Sequence, residues 1–190
     1  MRALVFAGST RTDSLHRKLA ATAAAELRRR GVETTLADLR DYPMPLYDGD
    51  MEASEGLPAA AREFRNLLAE HDLLVIASPE YNGSFPALVK NVIDWTSRPA
   101  AAGERPASMY RGKRGALLAG SPGPGGGRRG LRHLRVLLEM IGVTVIGEPV
   151  AVGGAFQAFD ADGKLSRPDA VEAVGRLADA IVETAAAAAA

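Results

Sequence analysis

Between Gly8 and Ser14 the chain reads Gly-Ser-Thr-Arg-Thr-Asp-Ser, which sets the hydroxyls of Ser9, Thr10, Thr12 and Ser14 around the guanidinium of Arg11. The segment follows the apolar run Ala3-Leu4-Val5-Phe6-Ala7 and precedes an amphipathic one, so it joins the end of a strand to the start of a helix. Unpaired amides and the positive end of the helix dipole lie there, and with the hydroxyls and Arg11 they are the parts needed to hold a phosphate. The plainer alternative is that Ser14 only caps the helix. Against it, the first turn carries Arg17 and Lys18 and has no Glu or Gln three residues after Ser14 to complete a capping box. Cations at that end oppose the dipole, and a bound anion would account for them, although Asp13 weakens the argument. No Gly-Lys-Ser/Thr follows, so this is not a nucleoside triphosphate loop.

A second constellation is Ser78-Pro79-Glu80-Tyr81-Asn82-Gly83-Ser84-Phe85-Pro86, placed between the apolar run Leu73 to Ala77 and the helical stretch from Ala87 to Trp95. In an open α/β sheet a loop leaving the carboxyl end of a strand is where small ligands bind. Tyr81 could instead be ordinary half-buried packing, and Trp95, on the inner spacing of its helix, reads as core or subunit interface. Lys90 and Asp94, four apart, are expected to pair. A third segment, Gly125-Gly126-Gly127-Arg128-Arg129-Gly130, satisfies G-x-G-x-x-G, with Glu148 where a ribose-binding acid would be sought. It follows the fourth strand rather than the first, and Ser121-Pro122-Gly123-Pro124 intervenes. A glycine-rich ligand loop that brings backbone close to a flat group explains it better than a dinucleotide site.

These loops need a scaffold of alternating strands and helices. Short apolar runs predict strands near 2–7, 33–38, 73–78, 114–119 and 144–151. Helices are predicted at 14–30, stopped by Gly31; 57–70; 86–95; 127–141, stopped by Gly142; and 169–186, following Pro168. The alanine run 185–190 is expected to extend the last helix before fraying. The connections 41–56 and 96–113 are longer than usual, as lids, binding loops or subunit contacts often are. Arg28, Arg29 and Arg30 read as a solvated helix end.

The 190 residues fit one domain, 1–190, with a sizeable core. Lys and Arg total 23 against 23 Asp and Glu, so no net field draws the chain to nucleic acid or an anionic membrane. The absence of cysteine excludes disulfides, thiolate catalysis and iron–sulfur clusters, and three scattered histidines argue against a metal site. No apolar run approaches the roughly 18 residues of a membrane helix, and the apolar start is too short for a signal peptide. A cytoplasmic protein is expected.

Taken together, Gly8-Ser9-x-Arg11-x-x-Ser14, the run Pro79-Glu80-Tyr81-Asn82-Gly83-Ser84-x-Pro86-x-x-x-Lys90-Asn91-x-x-Asp94-Trp95, and Ser121-x-Gly123-x-x-Gly126-Gly127 closely resemble the NADPH-dependent FMN reductase family. The resemblance spans nearly the whole chain. It implies a flavodoxin-like three-layer α/β/α sandwich, with a five-stranded parallel sheet of order 2-1-3-4-5 and FMN at its carboxyl edge. By the same resemblance Ser9, Arg11 and Ser14 would hold the FMN phosphate. Pro79, Glu80, Tyr81, Asn82 and Gly83 would run beside the ribityl chain and ring, with Ser121 and Gly123 on the far side. One departure is His16, where the family often has Asn. Imidazole still donates to phosphate but titrates near neutrality, which would make cofactor affinity pH-sensitive; the alternative is a neutral, tolerated change.

The activity implied is transfer of hydride from NADPH or NADH through FMN N5 to a quinone-like or other small-molecule electron acceptor. No side chain need act as catalyst, and Glu80 is assigned to positioning. A homodimer or homotetramer built through 86–95 and 96–113 is implied as well. The rival reading is a non-enzymatic flavodoxin-like electron carrier or regulator. Flavodoxins are usually strongly acidic for docking, which the balanced charge argues against. Arg98, Arg105, Arg111, Arg128 and Arg129 are candidates for meeting a 2′-phosphate.

Overall fold

The computed structural model describes residues 1–187. Six parallel strands form one sheet: β1 (Arg2–Ala7), β2 (Glu33–Ala37), β3 (Leu73–Ala77), β4 (Arg114–Gly120), β5 (Thr144–Val145) and β6 (Val150–Val152). They lie in the order β2-β1-β3-β4-β5, with β6 also paired to β4. The helices are α1 (Leu15–Arg29), α2 (Gly49–Glu55), α3 (Ala59–Glu70), α4 (Ala87–Thr96), α5 (Arg128–Met140) and α6 (Pro168–Ala187).

Both faces of the sheet are buried, so the central strands are apolar at every position rather than at alternate ones. Ala3, Val5, Leu73, Val75, Ala116 and Leu118 point into one core shared with α1 and α6. Leu4, Phe6, Leu74, Ile76 and Leu117 point into the other, against α3, α4 and α5. The in-register pairing of Ala3 with Leu73 and of Leu73 with Arg114 brings the carboxyl ends of β1, β3 and β4 to one edge. The loops that carry the candidate chemistry all leave that edge.

The strand expected over 144–151 is divided. Val145 pairs with Gly115 and Val150 with Leu118, so β5 and β6 together carry two residues more than β4 over that span. Gly147, at φ +67°, and Pro149, which has no amide to donate, sit in the break.

The excursion expected at 41–56 holds a short helix: the Asp48 carboxylate accepts from the Asp50 amide at 2.8 Å and caps α2, which buries no side chain of its own. α3 accordingly begins at Ala59 rather than 57. The connection 96–113 is pinned from within. Arg65, buried on α3, donates to Thr96 O at 2.7 Å and pairs with Glu104, which also accepts from the Ser108 hydroxyl and from the Ala100 amide at 2.6 Å. The arginines at the end of α1 are more engaged than a solvated end: Arg30 reaches Asp179 on α6 at 2.7 Å and Gly175 O at 3.1 Å. The alanine run continues α6 to Ala187, and its remainder, 188–190, lies outside the described residues. No helix among the described residues is long and apolar enough to cross a membrane.

Candidate functional site

Gly8 closes the end of β1 against β3, its amide donating to Ala77 O at 2.9 Å. A Cβ there would run into Val89 and lie 3.3 Å from Pro79, so only glycine lets the first loop meet the third this closely. Past it, the Ser14 hydroxyl accepts from the His16 and Arg17 amides at 3.2 and 3.4 Å. Ser14 is thus the helix cap that the plainer alternative described.

The cations of the first turn also have partners in the protein. Arg17 reaches Thr12 O at 3.1 Å and Asp38 at 2.8 Å, while Lys18 lies 2.6 Å from Asp13 and holds its carboxyl below the ordinary range. A bound anion is therefore not required to explain them. What does favour an anion is the backbone: among the described residues no amide from Ser9 to Ser14 donates to a protein acceptor. Arg11, exposed on the same loop, forms no ion pair there either. A run of free N–H groups, a free guanidinium and a helix amino terminus make a donor set that fits a phosphate.

His16 does not behave as its type suggests. It is buried beside the first loop, and its Nε2 accepts from the Gly120 amide at 3.2 Å. Burial lowers its pKa from 6.5 to about 4. It is neutral at physiological pH, with its proton on Nδ1, so the pH sensitivity expected near neutrality moves into the acid range.

In the third loop, Tyr81 and Ser84 exchange both backbone hydrogen bonds, at 2.9 and 3.0 Å. Asn82 and Gly83 form the two-residue turn between them, at φ +52° and +79°. Both lie in the left-handed region, as a type I′ turn requires, and Asn-Gly is the pair that adopts it most readily. The turn leaves the Tyr81 side chain exposed and Pro79 buried beneath. Glu80 turns away from solvent, its Oε2 accepting from the Gly130 amide in the first turn of α5 at 2.8 Å. α5 has only Gly127 at its cap position, so the carboxylate supplies the missing acceptor from the neighbouring loop.

The glycine-rich segment is explained mostly by packing. A Cβ at Gly126 would lie 2.6 Å from the Ala151 carbonyl carbon, one at Gly127 2.8 Å from Ala119, and one at Gly130 3.2 Å from Glu80. Gly123 and Gly125 meet no such obstacle, and Ser121 donates its hydroxyl to Gly123 O at 3.1 Å. The G-x-G-x-x-G spacing here seats α5 against the sheet edge.

These loops share one cavity of about 150 Å³ at the carboxyl edge of the sheet. Ser9, Arg11, Ser14, His16, Pro79, Glu80, Tyr81 and Ser121 line it, together with Phe156. Asn82, Gly83 and Gly123 do not line it; the first two form the turn that presents Tyr81. Phe156 escaped notice in the sequence because it follows the last strand in a stretch, Gly153 to Gln157, with no motif around it. Asn91 and Trp95 serve the framework: Asn91 accepts from the Tyr47 amide at 2.7 Å, and both side chains donate to Pro45 O at 2.8 Å. Trp95 is fully buried and is core, as its spacing suggested. Lys90 and Asp94 pair at 2.7 Å.

The description NADPH-dependent FMN reductase attaches to the family model that matches residues 1–157. The chain belongs to the NADPH-dependent FMN reductase family. An NAD(P)H-dependent FMN reductase of Pseudomonas aeruginosa is 37% identical over 166 residues, covering 87% of this chain and 84% of that protein. An NADPH:quinone oxidoreductase of Arabidopsis thaliana is 34% identical over 169 residues, covering 87% and 82%. Among solved structures, the flavoenzyme NAD(P)H:(acceptor) oxidoreductase FerB of Paracoccus denitrificans superposes with a TM-score of 0.78 at 26% identity, over 96% of this chain and 97% of that one. A Streptococcus pneumonia flavodoxin, with a TM-score of 0.59 at 13% identity over 96% and 98% of the chains, shares the fold. The sheet order β2-β1-β3-β4-β5 and the helices on both its faces are those of a flavodoxin-like α/β/α sandwich, and the family membership makes the chain an oxidoreductase.

Proposed function

We propose that this member of the FMN reductase family is a single flavodoxin-like domain that binds FMN at the edge cavity and reduces quinone-like or other small oxidants at the expense of NADPH or NADH. The observation that carries the reading is the convergence of the acceptor-free amides of Ser9 to Ser14 and the unpaired Arg11 with the Tyr81 and Ser121 loops on one cavity. When bound, FMN would supply two-electron redox chemistry between a reduced nicotinamide and the acceptor.

The chain's own groups do the rest. The first-loop amides, the Ser9 hydroxyl and Arg11 hold the phosphate through charge-assisted hydrogen bonds. Ser14 acts at one remove by fixing the first turn of α1. Pro79 and Tyr81 line the cavity from the third loop, the Asn82–Gly83 turn sets the direction of Tyr81, and Ser121 closes the opposite side. Glu80 holds the third loop to α5 and so keeps the slot narrow. Assembly into a homodimer or homotetramer belongs to this reading and is checked by light scattering of the purified protein.

The test is direct. Purified protein should be yellow, or become so when FMN is supplied, and should oxidise NADPH or NADH rapidly when menadione is present. A colourless protein that takes up no FMN would sink the reading. A flavin that is reducible but inert toward menadione would favour the electron carrier.

A further inference from the structure

A second hollow, of about 220 Å³, lies beside the edge cavity, and Ser9 lines both. It opens where β1 and β2 end side by side, with Phe6 paired to Ala37, next to the first turns of α1. Its walls are apolar: Ala7 and Ala37 from the strands, Ala20 and Ala21 from α1, and Leu36 and Leu39 from β2 and the turn after it. The four alanines keep it open, since larger side chains in their places would fill the gap between helix and sheet. Leu36, apolar and on the edge strand, is left 43% exposed beside it.

The polar groups are few. Asp38, the first residue past β2, is held by Arg17 at 2.8 Å and by Arg40 at 2.7 Å, both on its Oδ2. Among the described residues its Oδ1 accepts only from the Arg40 amide, at 3.0 Å, and keeps acceptor capacity for a ligand hydroxyl. A carboxylate at the end of the second strand is what doubly wound dinucleotide folds use to hold ribose hydroxyls, and it repels a 2′-phosphate. Between the hollow and the edge cavity runs the first loop. Its amides from Ser9 to Ser14 donate to no protein acceptor among the described residues, and Arg11 forms no ion pair there. Donors spread along that length serve two linked phosphate groups as readily as one.

We propose that the hollow takes the adenylyl half of a flavin dinucleotide, so that the chain holds FAD as well as FMN: the pyrophosphate on the first loop, the ribose hydroxyls on Asp38, and the adenine against Ala20, Ala21 and Leu36. This rests on the FMN reading above and adds to it a subsite outside the flavin cavity. Only Ser9, Arg17 and Asp38 bring polar side-chain atoms to the hollow, so the base is held by contact area rather than by hydrogen bonds to its edge.

Calorimetric titration of the flavin-free protein with FMN, FAD and riboflavin tests this. The parent should bind FAD with a Kd within about tenfold of that for FMN, because the adenylyl contacts offset the charge lost when the terminal phosphate becomes a diester. Ala21 is exposed on α1, so Ala21→Phe can occupy the hollow while the protein stays folded. It should weaken FAD by at least about tenfold and leave FMN within about twofold. Asp38→Asn, which keeps the side-chain shape and an acceptor for the Arg40 amide but loses the charge, should weaken FAD by about tenfold and FMN by less than about threefold. FAD bound by the parent more than tenfold less tightly than FMN, an unchanged FAD Kd in either variant, or an equal loss for both flavins overturns the subsite. A raised KM for NADH in FMN-loaded Ala21→Phe, with FAD affinity unmoved, would give the hollow to the nicotinamide cosubstrate and overturn the proposal as well. A parent that binds none of the three flavins overturns the flavin reading beneath it, whereas one that binds FMN and not FAD overturns the adenylyl subsite alone.

Discussion

The Gly120 amide donates to His16 Nε2 across 3.2 Å, tying the end of β4 to the first turn of α1 beneath the cavity. The bond requires a neutral imidazole, because a protonated one presents N–H to N–H. An unfolded histidine titrates at 6.5 and this one at about 4, so between those values the unfolded chain holds more protons and stability rises with pH. As pH falls from about 6.5 to about 4, His16 should therefore cost on the order of 3 kcal/mol of folding stability. Arg11, Asp13 and Glu80 line the same cavity, so the contribution is isolated by difference. Denaturant unfolding of the FMN-free protein should fall over that window, and His16→Asn, which does not titrate, should flatten the profile. A variant with the same slope would remove His16 from the account.

Arg65 and Glu104 close the 96–113 connection, and the Glu104 carboxyl titrates in a lower range than His16. The Ser108 hydroxyl, the Ala100 amide and the Arg65 guanidinium stabilise the Glu104 carboxylate and bring its pKa from 4.5 down to about 2. A depressed carboxylate contributes stability above its unfolded pKa, and that stability is lost as pH falls from about 4.5 to about 2. Glu104→Gln leaves the buried Arg65 without its counter-charge, so a loss of about 3 kcal/mol in denaturant unfolding at pH 7 is expected. Faster proteolysis within 98–108 should accompany it. A variant with wild-type stability and protection would show that the connection is held by something else.

These two contacts also show what the sequence makes legible. The strands could be placed because each central strand is a short apolar run between glycine, proline and polar punctuation, and both sheet faces demand apolar residues; their order followed only from the family resemblance. The first and third loops could be placed because they directly follow such runs. What the pattern did not carry is which groups meet across the fold: Glu80 meets Gly130, His16 meets Gly120, and Asn91 and Trp95 clamp residues 45–47. Those pairings are set by the sheet, not by spacing along the chain. α2 was missed because it buries nothing and so has no apolar period to announce it, and the divided last strand because Gly147 and Pro149 interrupt an otherwise apolar run.

The Asn82–Gly83 turn permits a clean separation of backbone from packing. Gly83 sits at φ +79° with nothing within 4 Å of where a Cβ would be, so Gly83→Ala introduces conformational strain and no clash. A loss of about 1 kcal/mol is expected in denaturant unfolding, since the left-handed region is costly for alanine. Because the turn aims Tyr81, FMN affinity should fall as well, measured by recovery of flavin fluorescence on dissociation. Loss of stability without any change in affinity would separate the turn from the site.

Arg11 provides the sharpest test of which end of the cavity takes the phosphate. It is exposed and forms no ion pair among the described residues, so Arg11→Ala should leave thermal unfolding of the FMN-free protein within about 0.5 kcal/mol of the parent. A charge-assisted hydrogen bond contributes about 1.5–3 kcal/mol, which corresponds to a weakening of the FMN Kd by roughly tenfold to a hundredfold. Riboflavin, which has the same ring and ribityl chain but no phosphate, should bind parent and variant equally. Added salt should weaken FMN binding more in the parent than in the variant, because a screened charge is what the variant has lost. If Arg11→Ala weakened riboflavin and FMN alike, Arg11 would be acting on the ring or the shape of the loop, and the phosphate would have to be assigned to another part of the edge.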